Sequence, residues 1–403
     1  MARDFDPTRR GLLASGALLG AGMLAGCTGG DGSGGDGQNT GTAGGNGTTT
    51  GTTESTENTG SAETTDGSSG SRSYSVSMAP VGEVTFEQVP KQWIAGTGDW
   101  ADMGVALGVG APNALWLPDR FNSHHYEELP GVSVDTSSIT ALYSDGVDKE
   151  VFYELDSDVH VFDPNFLANR FKGWEQADIA ELRERVAPYF GNTIFSREYP
   201  WHSYRYYTLY EAFGKLAEVF DRQDRYRQFA SVHEGVVNDV RSQLPAKRKR
   251  PSVAVVYPQP VDEPEAFLPY PMGRGTTFAH MHTLGLQGAF GKNTKAFTND
   301  RGEVDYETLL EIDPDALLLL GHEKKSAEEF RNTVVSYLRN QEIASQLSAV
   351  RNEDVYRAGG LYQGPIINLF LIERLGRDLY PDAFGSEPLF DREGVASIVN
   401  GNS

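Results

Sequence analysis

The sequence predicts an α/β protein of two similar lobes with parallel sheets, joined by a long helical connector. Three observations carry that expectation. One helix–turn–strand stretch occurs twice, a helical region lies between the copies, and short uninterrupted apolar runs alternate with amphipathic stretches.

The repeat comes first because it organises the rest. Residues 150–158 and 307–315 both read Glu-x-x-x-Glu-Leu/Ile-Asp-Ser/Pro-Asp, and each is followed by an apolar run, Val159–Phe162 and Ala316–Leu320. Acids at the start of each copy (Asp148 and Glu150; Asp305 and Glu307) suit the positive end of a helix dipole. Apolar residues at 151, 152 and 155, and at 309, 310 and 312, form one inward face at helical spacing. Asp313-Pro314 ends the second helix, because proline disfavours a helical residue before it. The short apolar run that follows suits a parallel strand covered on both faces. Two such units roughly 157 residues apart suggest two lobes of ordinary domain size.

Ahead of the lobes, residues 1–27 read as an export segment. Thr8-Arg9-Arg10-Gly11-Leu12-Leu13 opens an apolar stretch that Leu24-Ala25-Gly26-Cys27 closes. The pattern resembles a twin-arginine signal joined to a lipoprotein cleavage box, with Cys27 as the lipidated residue. The stretch is shorter than the ~20 residues of a spanning helix. Cys27 is the only cysteine, so no disulfide framework is expected. Residues 28–77 form a Gly/Thr/Ser-rich tether too polar to bury a core. Its ~45 disordered residues span on the order of 35–40 Å as a flexible coil.

The formal net charge is −21 and the pI near 4.8. An acidic surface of this kind argues against nucleic acid as a partner and suits a salt-loving source, where salt screens self-repulsion. Lys247-Arg248-Lys249-Arg250 is the exception, and its place after a predicted helix makes it a C-terminal cap favoured by the dipole.

The first lobe is expected over 78–202, beginning near Val84-Thr85-Phe86. Strands are predicted at 92–96, 113–117 and 193–195, with helices at 101–108 and 176–187. The connector occupies 203–247, helical over 203–244, with a possible break at Asp221–Asp224. The second lobe, 248–403, starts with the strand Val253–Tyr257. It continues through a helix after Phe278, the second repeat copy, a helix at 327–347, a strand at 354–357 and a final helix at 364–379 stopped by Pro381.

These residues resemble the substrate-binding proteins of ABC importers for iron–siderophore complexes, haem and vitamin B12, over essentially all of 78–385. In that family each lobe carries a Glu five positions before an aliphatic residue and eight before the Asp of a Pro-Asp pair. Glu150, Leu155 and Asp158 meet the spacing in the first lobe, and Glu307, Ile312 and Asp315 in the second. Ser157 departs from the usual proline. The closing segment Asp354-Val355-Tyr356, Gly364 and Leu379-Tyr380-Pro381 looks like the family's C-terminal signature.

The resemblance implies two Rossmann-like lobes joined by one long helix, the class III periplasmic binding protein arrangement, with little closure on binding. It also implies that Glu150 and Glu307 each meet an arginine of the membrane permease, which works with its ATPase. The expected protein is a monomer without covalent cofactor, held to the outer face of the membrane by its lipid. Its expected cargo is a ferric siderophore or, as the alternative, cobalamin, haem or a bare metal ion.

In a two-lobed α/β protein the ligand sits at the carboxyl ends of the strands. The stretches expected there carry Asp99 and Trp100, Arg120 to Tyr126, Phe162 to Trp174, Trp201-His202, Tyr204, Tyr270, Arg274, Phe278 and Tyr362. Aromatic rings offer rigid contact area and arginine pairs with anionic oxygens. The candidate ligand residues are therefore Trp100, Tyr126, Trp201, Tyr270, Arg274 and Tyr362. His124-His125 and His280-Met281-His282 hint at a metal but lack a ligand spacing shared on a helix face, so no metal site is expected. No nucleophile elbow, His-Glu-x-x-His helix or phosphate loop is present, and nothing in the sequence supports an exported enzyme. A surface sensor is the remaining rival, and it has no use for two docking acids.

Overall fold

The computed structural model describes residues 73–144, 146–291 and 302–402, so the export segment, Cys27 and the tether up to residue 72 lie outside the described residues. The ordered chain starts with an antiparallel hairpin, β1 (Tyr74–Met78) and β2 (Gly82–Phe86). Its alternation turns Val76, Met78, Val84 and Phe86 inward. The body therefore begins at Tyr74 rather than Met78: an expected tether residue run is a strand, because its alternate residues reach the core.

The first lobe continues through β3 (Trp93–Ala95), α1 (Gly98–Ala106), β4 (Ala114–Leu115) and β5 (Thr140–Ala141). It closes with α2 (Lys149–Leu155), β6 (Val159–Val161), α3 (Pro164–Arg170) and α4 (Gln176–Arg185). The strands lie in the order β5-β4-β3-β6, all parallel. The chain thus winds outward from β3 in one direction and then in the other, which opens a crevice at the carboxyl ends of β3 and β6.

The connector is two helices, α5 (Leu209–Val219) and α6 (Gln223–Gln243), not one. The break falls where the sequence suggests it, with Asp221 at φ 53°. The expected start at 203 is corrected to Leu209. There the Thr208 hydroxyl accepts from Glu211 N and the Glu211 carboxylate accepts from Thr208 N, a reciprocal cap that fixes the first turn.

The second lobe contains β7 (Ser252–Gln259), β8 (Ala266–Pro269), α7 (Ala279–Thr283), β9 (Gln287–Gly288), α8 (Tyr306–Ile312) and β10 (Ala316–Leu319). It continues with α9 (Ala327–Phe330), α10 (Ser336–Asn340), α11 (Ser348–Arg351), β11 (Val355–Arg357) and α12 (Pro365–Leu379). The last helices are α13 (Pro381–Phe384) and α14 (Arg392–Asn400). Its sheet runs β11-β10-β7, and the far edge of β7 is shared by β9, parallel, and β8, antiparallel. The sheet is therefore mixed rather than purely parallel.

Three further expectations are revised. Residues 193–195 form no strand, because the Asp163 carboxylate accepts both Thr193 N and Thr193 Oγ1, each at 2.8 Å, and takes the donor a ladder would use. The helix expected at 327–347 is a composite of α9, a π-helical turn at Arg331–Val335 and α10, and it stops at Asn340. Pro381 ends α12 but also opens α13, as proline suits a first helical turn.

The repeat is borne out as α2–β6 and α8–β10, and its acids have structural work. Asp156 (φ 42°) and Asp313 (φ 37°) end the two helices in the left-handed conformation. Asp158 Oδ2 accepts from Lys91 N (2.7 Å) and Gln92 N (2.8 Å), just ahead of β3. Asp315 Oδ2 accepts from Ser252 N (2.8 Å) and Ser252 Oγ (2.9 Å), at the start of β7. In each lobe the repeat's last acid pins its own strand to the neighbouring first strand.

Candidate functional site

The crevice between the lobes contains a cavity of about 330 Å³ at the carboxyl ends of β4, β7, β10 and β11. Asp119, Arg120 and Asn122 line it from the first lobe, and Tyr257, Glu323 and Lys324 from the second. Gly321 (φ 90°) turns the chain at the end of β10 and lies close to the Tyr257 ring, where a Cβ would sit 3.1 Å from a ring carbon. Arg120 and Lys324 are exposed, with Lys324 Nζ 3.9 Å from the fully exposed Asp119, a contact that water screens.

Arg120 hydrogen-bonds the Tyr362 hydroxyl, and burial first of all pushes that phenol well up. Tyr362 meets Phe195 edge-on at 5.1 Å, Phe195 meets Tyr199 at 6.0 Å, and Tyr199 stacks on Trp201 at 5.0 Å. Beside this row of rings, Arg197 lies 4.9 Å from the Tyr206 ring centroid. Burial and the neighbouring Arg274 guanidinium both lower Arg197's pKa from its ordinary value, so two cations gather where loop 195–206 meets loop 270–278.

The candidate ligand residues divide. Trp100 is 1% exposed in α1, and Tyr126, also 1% exposed, donates to Asp102 Oδ1 at 2.6 Å. Tyr270 and Tyr362 are buried too, Tyr270 behind β7 through its backbone bond to Val255 O. Trp201 is half-buried, and Arg274 is exposed on a separate cavity of about 230 Å³ beside Tyr210, His233 and His282. Trp174 donates to Val147 O. Arg120 and Asn122 lie in a stretch expected at the cleft, whereas Asp119, Tyr257, Glu323, Lys324 and Gly360 line it from outside the expected stretches. Their signal in the sequence is position: Gly321 to Lys324 directly follow the repeat strand β10.

Asp99 and Asp102 fasten the lobes rather than face a ligand. Asp99 accepts from Thr97 Oγ1, from Trp100 N and, across the crevice, from Thr276 Oγ1 at 3.3 Å. Asp102 Oδ2 accepts from Ile366 N (3.0 Å) and Ile367 N (3.1 Å), capping α12 from the other lobe. Burial raises Asp99 to about 6 and Asp102 to about 7, against their hydrogen bonds. Gly364 permits this approach, since a Cβ there would lie 2.6 Å from Asp102.

Glu150 and Glu307 are both exposed in the first turns of α2 and α8, behind N-caps Asp148 and Asp305. Both acids stand in the first turn of the helix that precedes the repeat strand of their lobe, β6 or β10. The paired histidines 280 and 282 are structural: His280 bonds Ala358 O and Gln363, and His282 bonds Gly273 O.

Comparison with known proteins agrees with this architecture. Residues 172–360 match the family described as periplasmic binding protein. A curated relative, the Fe(3+)-citrate-binding protein YfmC of Bacillus subtilis, is 24% identical over 298 residues, covering 72% of this chain and 80% of its own. A periplasmic binding protein from Veillonella parvula superposes with a TM-score of 0.54 at 12% identity, over 77% of this chain and 98% of that one. The petrobactin-binding protein YclQ of Bacillus subtilis gives 0.52 at 16% identity, over 78% and 100%. The family match spans a little under half of the chain, and the fold is that of periplasmic binding proteins of known structure. No helix among the described residues is long and apolar enough to cross a membrane.

Proposed function

We propose that the chain is the extracytoplasmic receptor of an ABC importer, capturing an anionic ferric chelate and handing it to a permease and its ATPase without covalent chemistry. The observation that carries the proposal is the cavity at the carboxyl ends of both sheets, with Arg120 and Lys324 on its rim and a row of aromatic rings leading to Arg197 and Arg274. Cations paired with rigid rings suit an oxygen-rich chelate carrying negative charge. The relatives named for ferric citrate and petrobactin support the same ligand class. Glu150 and Glu307, displayed at equivalent places on the two lobes, supply the docking charges, and Cys27 supplies the lipid anchor after twin-arginine export. The monomeric state and high-salt habitat belong to the same reading, the acidic surface being best screened there.

The test is a tryptophan-fluorescence titration of the full chain in molar salt, with ferric citrate, ferric hydroxamate, ferric catecholate, haem and cobalamin in parallel. Saturable quenching by a ferric chelate, lost in the double variant Arg120→Ala/Lys324→Ala, is the expected result. Response to haem or cobalamin alone replaces the ligand class. No response to any of the five removes the capture reading.

A further inference from the structure

We propose that His124, His125 and Glu323 form a binding site for a divalent transition metal that bridges the two lobes beside the chelate cavity and shares Glu323 with its wall. The two histidines follow β4 in the first lobe and the glutamate follows β10 in the second. One ligand atom from each lies within 4.8 Å of the others. Two ligands of one tetrahedral ion at ~2.1 Å stand ~3.4 Å apart, so the set closes with a shift of at most about 1.4 Å between the most distant pair. His124, half-buried at the end of the group, has the freedom to make it.

The second observation is an orphaned buried donor set. His125 is 5% exposed and its ring stacks on Phe370 at 5.0 Å, yet Nε2 is buried with no hydrogen-bond partner. It points at Glu323 Oε2 from 3.7 Å, too far for a hydrogen bond and a natural separation for two ligands of a common ion. A buried polar atom left unpaired costs free energy unless something binds it. Glu323, also 5% exposed, is held by Arg374 through two bonds of 2.7 and 2.9 Å. Each carboxylate oxygen keeps a second lone pair, so Arg374 acts as the outer partner that orients the ligand. Imidazole nitrogens with one carboxylate suit zinc, nickel or cobalt rather than calcium or magnesium. Three protein ligands leave a position open. Arg357 and Arg374 nearby favour an anionic oxygen in it.

The sequence pattern argues against this site, since adjacent residues do not share a helix face. In the 3-10 turn Ser123–Glu128 the two rings nevertheless lie with centroids 4.0 Å apart, and the third ligand arrives from a strand end about 200 residues later.

The test uses the full chain stripped by chelator and titrated with Zn2+ alone by calorimetry, and with Co2+ alone by its visible ligand-field absorption. Loss of an outer-shell partner costs 10- to 100-fold in affinity, so loss of a ligand should cost at least about 100-fold. One tight Zn2+ site is expected, weakened to that extent in His124→Ala and in His125→Gln, with the Co2+ absorption lost in both. His282→Ala, which leaves the set intact, should bind as the parent does. His124 is half-buried, so its variant keeps the test decisive should His125→Gln fail to fold. Parent-like Zn2+ affinity in His124→Ala, or no tight site in the parent chain, overturns the proposal. Ferric chelate titrations of the same variants are read separately: metal binding without chelate binding sinks the receptor reading and leaves this site standing.

Discussion

Asp158 and Asp315 do the same work in the two lobes, each carboxylate accepting two donors at the start of the neighbouring strand. The residues just before them differ. Pro314 is buried and satisfied by shape alone, whereas Ser157 buries a hydroxyl that finds no partner. The sheets differ as well, the first purely parallel and the second carrying the antiparallel β8 beside β7. A local fastening can thus be repeated faithfully while the layers around it diverge. The repeat preserves the turn, the strand pin and the exposed acid, which are the features that set where Glu150 and Glu307 stand.

The largest expected effect tests that equivalence in function. Glu150→Ala with Glu307→Ala should abolish chelate uptake in cells while leaving ligand affinity in solution unchanged, with each single variant intermediate. Full uptake by the double variant would remove the docking role. In the proposed docking, complementary charge would act on encounter and register.

Next comes the place where the lobes stop being independent. Asp102→Ala leaves two backbone N–H groups at the start of α12 and the Tyr126 hydroxyl unpaired, so a loss of ~2–4 kcal/mol is expected in denaturant melts. Its titration has a defined sign. Burial raises Asp99 to about 6 and Asp102 to about 7, so the folded protein holds protons that the unfolded chain releases near pH 4. Their contribution is complete below about pH 4 and is lost as the pH rises to about 7. The difference in Tm between parent and Asp102→Asn should therefore change steadily across that window, and a constant difference would refute the assignment.

Smaller effects separate the two pins. Asp158→Ala and Asp315→Ala should each cost about 1–2 kcal/mol, since both acids are exposed and water replaces part of each bond. A marked inequality would show that one lobe depends on its pin more than the other. The smallest effect runs the other way. Ser157→Pro copies the second lobe into the first, at a site whose preceding residue already has the φ of Asp313, and should stabilise by about 0.5–1 kcal/mol. Destabilisation would mean that the two turns are less alike than their backbones.

The sequence by itself determined the elements whose causes are local. The two repeat units follow from helix-start acids and a left-handed stop, the break at Asp221 from polar residues inside an apolar rhythm, and the buried strands β7 and β10 from uninterrupted apolar runs. Glu150 and Glu307 were legible for the same reason, since exposure in a first helical turn depends on a few neighbours. Tertiary structure alone decided which polar residues face the crevice. Asp99, Trp100 and Tyr126 stand after strand ends as ligand residues do, but α12 and the Thr276 turn cover them, and their partners lie more than 170 positions away for Asp99 and more than 260 for Asp102. Arg120, Tyr257 and Lys324 share a cavity only because two sheets bring their carboxyl ends together, and His124, His125 and Glu323 meet for the same reason. Hydrophobic periodicity records which face of an element is buried; it holds no record of what, from the far end of the chain, comes to bury it.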